Sequence, residues 1–117
     1  MCEVNVDTIR RAHKICPVTA IQSEYHLMHR MVETNGVLEL CEDLGIGFVP
    51  YSPLNRGFLG GMINEYTKFD VTNDNRQTLP RFQPEAIRAN YRIVEVLNAF
   101  GRTRGITPAQ IALAWLM

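Results

Sequence analysis

GIGFVPYSPLNRGFLGG, residues 45–61, decides how this chain is read. Ile46, Phe48 and Val49 are types that a pleated, buried surface prefers, so a strand is expected over residues 47–51. Pro53 breaks it, and Gly57, Gly60 and Gly61 then open a loop that permits positive φ and close backbone approach. Upstream, residues 35–44 read as a helix. Val37, Leu38, Cys41 and Leu44 form its apolar stripe, Glu39, Glu42 and Asp43 its wet face, Asn35 its expected N-cap, and Gly45 its stop. The order is helix, strand, Gly-rich loop. In an α/β sheet the loop at the carboxyl end of a strand is where ligands bind. Two readings stand side by side at this point: a loop that holds a phosphate or cofactor, and a Gly/Pro connector in a surface turn.

Working toward the N-terminus, a short strand is expected over residues 18–22, with Val18, Ala20 and Gln22 on one face and Thr19 and Ile21 on the other. Gln22, Ser23 and Glu24 put polar groups at its carboxyl end, or merely turn the chain back to solvent. A first helix capped by Asn5 or Asp7 runs to about Lys14, with Ile9, Ala12 and His13 on one side. His13 reads as a helix-surface or interface histidine. Residues 25–34 form a polar-aromatic loop. His26, His29 and Glu33 have a spacing that a metal site can use, but without the H-E-x-x-H order or a nearby Cys. The pattern so far is αβαβ with short links, which implies parallel strands and right-handed crossovers.

Toward the C-terminus, periodicity fails over residues 62–83, a long loop of the kind that is functional or mobile in compact domains. It is the expected place for substrate selectivity. Pro84 suits a first helical turn, and Ile87, Tyr91, Val94 and Leu97 carry a helical stripe toward a stop near Gly105. Thr107-Pro108 opens a last helix through Ile111, Ala112, Trp115 and Leu116. That helix ends at Met117 without a C-cap, which reads as a truncation.

The 117 residues carry zero formal net charge and scattered Lys and Arg, so nothing favours a nucleic-acid or membrane surface. No apolar run reaches the length of a membrane span, and no signal peptide is expected. Cys2, Cys16 and Cys41 are an odd count without a C-x-x-C pair, which fits reduced thiols and a cytoplasmic protein; Cys41 belongs to a helix core. The chain has no Gly-Lys-Ser/Thr, no G-x-G-x-x-G and no G-x-S-x-G. From spacing alone it is an α/β piece with a Gly-rich loop after a strand.

The residues say more than the spacing. AIQSEYHLMHR (residues 20–30), LGIGFVPYSPLNRGFLGG (44–61), LPRFQPEAIRAN (79–90) and GITPAQIALAWLM (105–117) strongly resemble the aldo-keto reductases, in the auxin-induced-type oxidoreductase branch. The order I-Q-x-E-Y, then G-I-x-F-x-x-Y-S-P-L-x-x-G-x-L, is specific, and the resemblance covers essentially the whole chain.

The resemblance implies a partial (β/α)8 TIM barrel: about two βα units plus C-terminal helices, residues 1–117 being one fragment of an NADP-dependent oxidoreductase domain. It implies NADP(H)-dependent reduction of small-molecule carbonyl compounds. Gln22 matches the amide that holds the nicotinamide carboxamide, and Tyr51 the aromatic platform under the nicotinamide ring. Ser52, Leu54, Asn55, Arg56 and Gly57 match the loop along the pyrophosphate. Cys2 stands where the family usually has a Ser that also holds the carboxamide. The family's catalytic Asp, Tyr, Lys and His match no motif in this chain, so no catalytic residue and no metal ligand is assigned. The expectation is a chain inactive by itself. The alternative is a non-catalytic interaction or regulatory module that self-associates or complements another chain through exposed strand edges.

Overall fold

The computed structural model describes all residues, 1–117, which divide into two compact units, Met1–Pro53 and Leu54–Trp115. In the first unit the chain forms helix α1 (Val6–Ile15), strand β1 (Ala20–Glu24), helix α2 (Val37–Leu44) and strand β2 (Gly47–Tyr51). The two strands are parallel, in register from Ala20↔Gly47 to Glu24↔Tyr51. This is the αβαβ order that the periodicity predicts.

Asn5, not Asp7, caps α1: its Oδ1 accepts from the Thr8 amide at 2.9 Å. His13 closes the turn into β1, its Nδ1 accepting from the Val18 amide at 3.1 Å. β1 lies two residues later than expected, at Ala20–Glu24 rather than 18–22. The reason is a partner on its far side. The Met1 carbonyl accepts from the Gln22 amide (2.8 Å), and the Glu3 amide donates to Gln22 O (2.9 Å). The N-terminal residues thus lie parallel beside β1, with Cys2 bridging Gln22, and extend the ladder toward Glu24. Ser23 and Glu24 are strand residues, not a turn.

α2 also starts later than expected. Gly36 takes the cap position at φ 81°, and Asn35 instead accepts the Val37 amide through Oδ1 at 3.1 Å. An Asn-Gly pair divides the work: one residue makes the left-handed turn and the other supplies the acceptor. The loop over residues 25–34 is ordered around a His26↔His29 backbone bridge and a short 3-10 turn, Met31–Glu33. Ile9, Ile21, Val37, Leu40, Cys41 and Ile46 form the core of this unit. Cys41 is in it as expected, 3% exposed, and burial raises its thiol pKa. Each of the larger apolar side chains contributes about 1.5–3 kcal/mol of burial free energy.

The second unit holds helix α3 (Pro84–Arg102) and helix α4 (Pro108–Ala114). Residues 62–83, expected as structureless loop, contain two 3-10 turns, Asn75–Thr78 and Pro80–Phe82. Pro84 sits in the first turn of α3 as the sequence implies, but the helix ends at Arg102, ahead of Gly105. α4 opens with a full capping box: Thr107 accepts the Gln110 amide and the Gln110 side chain accepts the Thr107 amide. It ends at Ala114, short of the expected Trp115 and Leu116, with Trp115 as its C-cap. Phe58, Leu59, Ile63, Phe82, Ile87, Val94, Leu97 and Ala112 are buried here.

The α3–α4 corner depends on one glycine. A Cβ at Gly101 would stand 2.2 Å from the Ile106 carbonyl oxygen, and Ile106 donates its own amide back to Gly101 O at 3.2 Å. Inside a helix, Gly to Ala normally gains about 1 kcal/mol. Here the sign reverses: Gly101→Ala is expected to destabilise the chain by about 2 kcal/mol or more, because the backbone of residue 106 must move. Chemical denaturation of the two proteins checks it; equal or greater stability of the variant would refute the close approach.

Candidate functional site

The first unit arranges its polar residues by strand alternation. Ile21 and Ser23 point into the core side of β1 and are buried, while Gln22 is exposed on the other face. Register places Gln22 beside Val49 and Glu24 beside Tyr51. Cys2 joins the same group, its Sγ 3.8 Å from Gln22 Oε1. The structure thus brings together three of the residues marked in the sequence: Cys2, Gln22 and Tyr51.

Two carboxylates complete this group, the first of them without any signal in the sequence. Glu3 has φ 50°, a left-handed conformation, and its Oε1 accepts the Glu24 amide at 2.6 Å. Glu24 Oε1 lies 3.1 Å from His26 Nε2, and the Met28 amide donates to His26 Nδ1 at 3.2 Å. With Nδ1 accepting, the ring of neutral His26 carries its proton on Nε2 and donates it to Glu24. His26 is 1% exposed, so this pair is fixed rather than mobile. Tyr51 has its pKa raised, first by burial, then by the charges of Glu3 and Glu24, and then by a hydrogen bond from its hydroxyl to Glu3. Both carboxylates therefore act electrostatically on the Tyr51 phenol.

His26, His29 and Glu33 do not converge on a metal. Glu33 takes a bidentate pair from Arg30 (2.7 and 2.8 Å) and a hydrogen bond from the Tyr25 hydroxyl (2.9 Å). No group of three or more His, Cys, Asp or Glu side chains is placed to hold a metal ion. Tyr25 in turn packs edge-on against Phe48.

Ser52 closes the first unit at φ 54°. In the second unit, Asn55 (φ 48°), Arg56 (φ 52°) and Gly57 (φ 95°) are three left-handed residues in succession. For residues with a Cβ this conformation costs about 1–2 kcal/mol each. Hydrogen bonds inside the loop hold it: Gly57 N to Leu54 O (3.0 Å), Phe58 N to Asn55 O (3.1 Å) and Leu59 N to Leu54 O (3.1 Å). Buried Phe58 and Leu59 anchor its far end.

The segment expected to select substrate also supplies a brace. Arg76 Nη1 donates to Arg56 O at 3.1 Å, and Arg56 Nη1 donates to Asn75 Oδ1 at 3.1 Å. Arg76 is itself fixed by Asp74, with Nη2–Oδ2 at 2.6 Å, and lies over the Phe69 ring at 4.7 Å. Asp74 holds the Arg76 pKa up, and Arg76 holds that of Asp74 down. Arg56 is hydrogen-bonded to a neutral acceptor, with the Asp74 charge also within reach, whereas Arg76 is paired directly with Asp74.

Comparison with known proteins follows the same lines. The family model described as "Aldo/keto reductase family" matches residues 1–117. A relative named "Probable aldo-keto reductase 1", from Glycine max, is 44% identical over 117 residues, covering 100% of this chain and 33% of its own. Among solved structures, a glycerol dehydrogenase from Gluconobacter oxydans superposes with a TM-score of 0.85 at 22% identity, over 98% of this chain and 35% of that one. The chain belongs to the aldo/keto reductase family, an oxidoreductase family, and its fold is part of a TIM barrel. It spans about a third of the length of the curated relative it matches.

The carboxylates around Tyr51 yield a measurable consequence. The Tyr51 phenol is expected to titrate above the ordinary tyrosine range, and Glu3→Gln to bring it down while Tyr51 stays folded in place. The sign for stability follows: a folded pKa above the unfolded one leaves stability unchanged below about pH 10 and lost as pH rises beyond it. Phenolate absorbance, taken as the difference from Tyr51→Phe, reads the shift; no change in Glu3→Gln would show that Glu3 does not perturb Tyr51.

Proposed function

We propose that this chain supplies the nicotinamide-binding and pyrophosphate-binding elements of an NADP(H)-dependent carbonyl reductase. By themselves the 117 residues hold the dinucleotide without turning it over. The observation that carries the reading is the convergence of Cys2, Gln22 and Tyr51 at the carboxyl end of the parallel sheet. An amide with both a donor and an acceptor suits a carboxamide, and the Cys2 thiol engages its acceptor end. Tyr51 offers a flat ring on the same face. The dinucleotide, when bound, supplies the hydride; these residues orient it.

In the second unit, Arg56 is the cation suited to a pyrophosphate, because its hydrogen-bond partner is a neutral amide oxygen. Asn55, Leu54 and Gly57 shape the loop that presents it. The Gly57 amide is held by Leu54 O, so phosphate recognition here rests on side chains more than on that amide. NADP rather than NAD is taken from the family resemblance. The carbonyl substrate class and a cytoplasmic setting belong to the same proposal. The cytoplasmic reading rests on the unpaired thiols of Cys2, Cys16 and Cys41. No helix is long and apolar enough to cross a membrane.

In this reading Tyr51 serves as a platform and not as an acid, because burial and the carboxylates beside it hold its proton on. The purified chain is expected to bind NADP(H) by calorimetry, with Gln22→Ala and Arg56→Ala each weakening it by about ten-fold, in the range of a lost charged or amide contact. It is expected to oxidise no NADPH against a broad aldehyde panel. Turnover above a buffer blank, or affinity untouched in both variants, would overturn the assignment.

A second reading has its own observation. β2 has a strand neighbour on one side only, and Val49 on its open face is 45% exposed. Such a strand can pair with another chain. Light scattering separates the two: the interaction reading requires a dimer or larger species at micromolar concentration, and a strict monomer rules self-association out.

A further inference from the structure

The two carboxylates beside Tyr51 have no part in holding a carboxamide, yet the fold places and fixes both. Glu3 adopts a left-handed backbone to bring its Oε1 to the Glu24 amide at 2.6 Å. Glu24 is the register partner of Tyr51 across the parallel pair, so their side chains share the open face. His26 holds Glu24 from behind, and it does so as a neutral donor, because its Nδ1 is occupied by the Met28 amide. A neutral donor orients the carboxylate and leaves its charge in place. Both charges reach the Tyr51 phenol strongly enough to raise its pKa.

We propose that Glu3 and Glu24 bias this end of the sheet toward the oxidised, cationic nicotinamide over the reduced, neutral one. The inference rests on the assignment of Tyr51 as the ring platform. The two redox forms of the ring differ by one positive charge. A ring against Tyr51 meets two carboxylates, Glu3 bonded to the Glu24 amide and to the Tyr51 phenol itself, and Glu24 bonded to the His26 ring. The electrostatic term therefore discriminates between the forms, whereas the carboxamide contact at Gln22 does not. Binding the oxidised form more tightly is equivalent to making the bound reduced form a stronger hydride donor; each ten-fold in the affinity ratio is about 30 mV for a two-electron couple.

The test is the ratio of dissociation constants for NADPH and NADP+, measured by calorimetry on the 117-residue chain and on Glu3→Gln, Glu24→Gln and the double variant. Glutamine keeps an acceptor oxygen for the Glu24 amide and for the His26 ring, so both contacts survive. The expected result is weaker NADP+ binding with NADPH little changed, about three- to ten-fold in the ratio for each variant and more for the pair. Asp43→Asn, the same charge change on the solvent face of α2, is expected to leave the ratio alone. A double variant that binds both forms with the parent's ratio overturns this inference and leaves the cofactor assignment standing. A parent chain that binds neither form overturns both. An equal shift in Asp43→Asn would show net charge, not these two residues, to be responsible.

Discussion

The burial of Ile21 is the constraint on which the rest of the first unit depends. Successive strand residues face opposite ways, so fixing Ile21 in the core fixes Gln22 on the open face and Ser23 back inside. A slip of one residue would exchange the two faces of β1, exposing an isoleucine worth about 1.5–3 kcal/mol of burial and driving an amide into an apolar core. Parallel pairing then carries the setting outward. β2 follows β1 in register, and the first three residues follow it on the other side. Parallel strands bring their carboxyl ends to the same edge, so Cys2, Gln22, Glu24 and Tyr51 are assembled by the ladder and not by their own attractions.

The second unit meets a different problem. Its loop keeps residues 55–57 left-handed, two of them with side chains, in a body of about sixty residues, a size at which burial is only just sufficient. The loop is stable because its constraints are redundant. Three backbone hydrogen bonds close it, Phe58 and Leu59 pin its end, and Arg76 holds the Arg56 carbonyl from outside. Arg76 can do this because Asp74 and the Phe69 ring fix its guanidinium beforehand. Strain at residues 55 and 56 is thus balanced by a side chain twenty positions away in sequence.

Much of this was legible in the sequence, and the exceptions have physical causes. Periodicity and caps predicted the two strands, the four helices and the parallel arrangement. They carry local information, and those elements are locally determined. β1 was misplaced because its boundary is set by pairing with residues 1–3, a contact that no local pattern encodes. Residues 62–83 looked featureless because 3-10 turns have no long period, and their brace on Arg56 is a long-range hydrogen bond. Gln22 and Tyr51 were readable only through the family motif. Glu3 was invisible by either route: a glutamate near the start of a chain looks solvated until a neighbouring strand offers its amide.

Cys2 shows why the sheet edge tolerates a change in chemistry. The family resemblance puts a serine at this position, and a thiol is a weaker and longer hydrogen-bonding group. If the side chain held the segment in place, the substitution would loosen the edge. It does not hold it: the Glu3 amide and the Met1 carbonyl fix the segment to Gln22 at 2.9 and 2.8 Å. The Cys2 position is therefore set by its neighbours, through their backbone bonds and the Glu3 carboxylate, and Sγ meets Gln22 Oε1 at 3.8 Å as a consequence. A position built this way exchanges one side-chain donor for another without moving its neighbours. The strength of the contact with Gln22 changes, while the placement of Gln22 itself remains with β1.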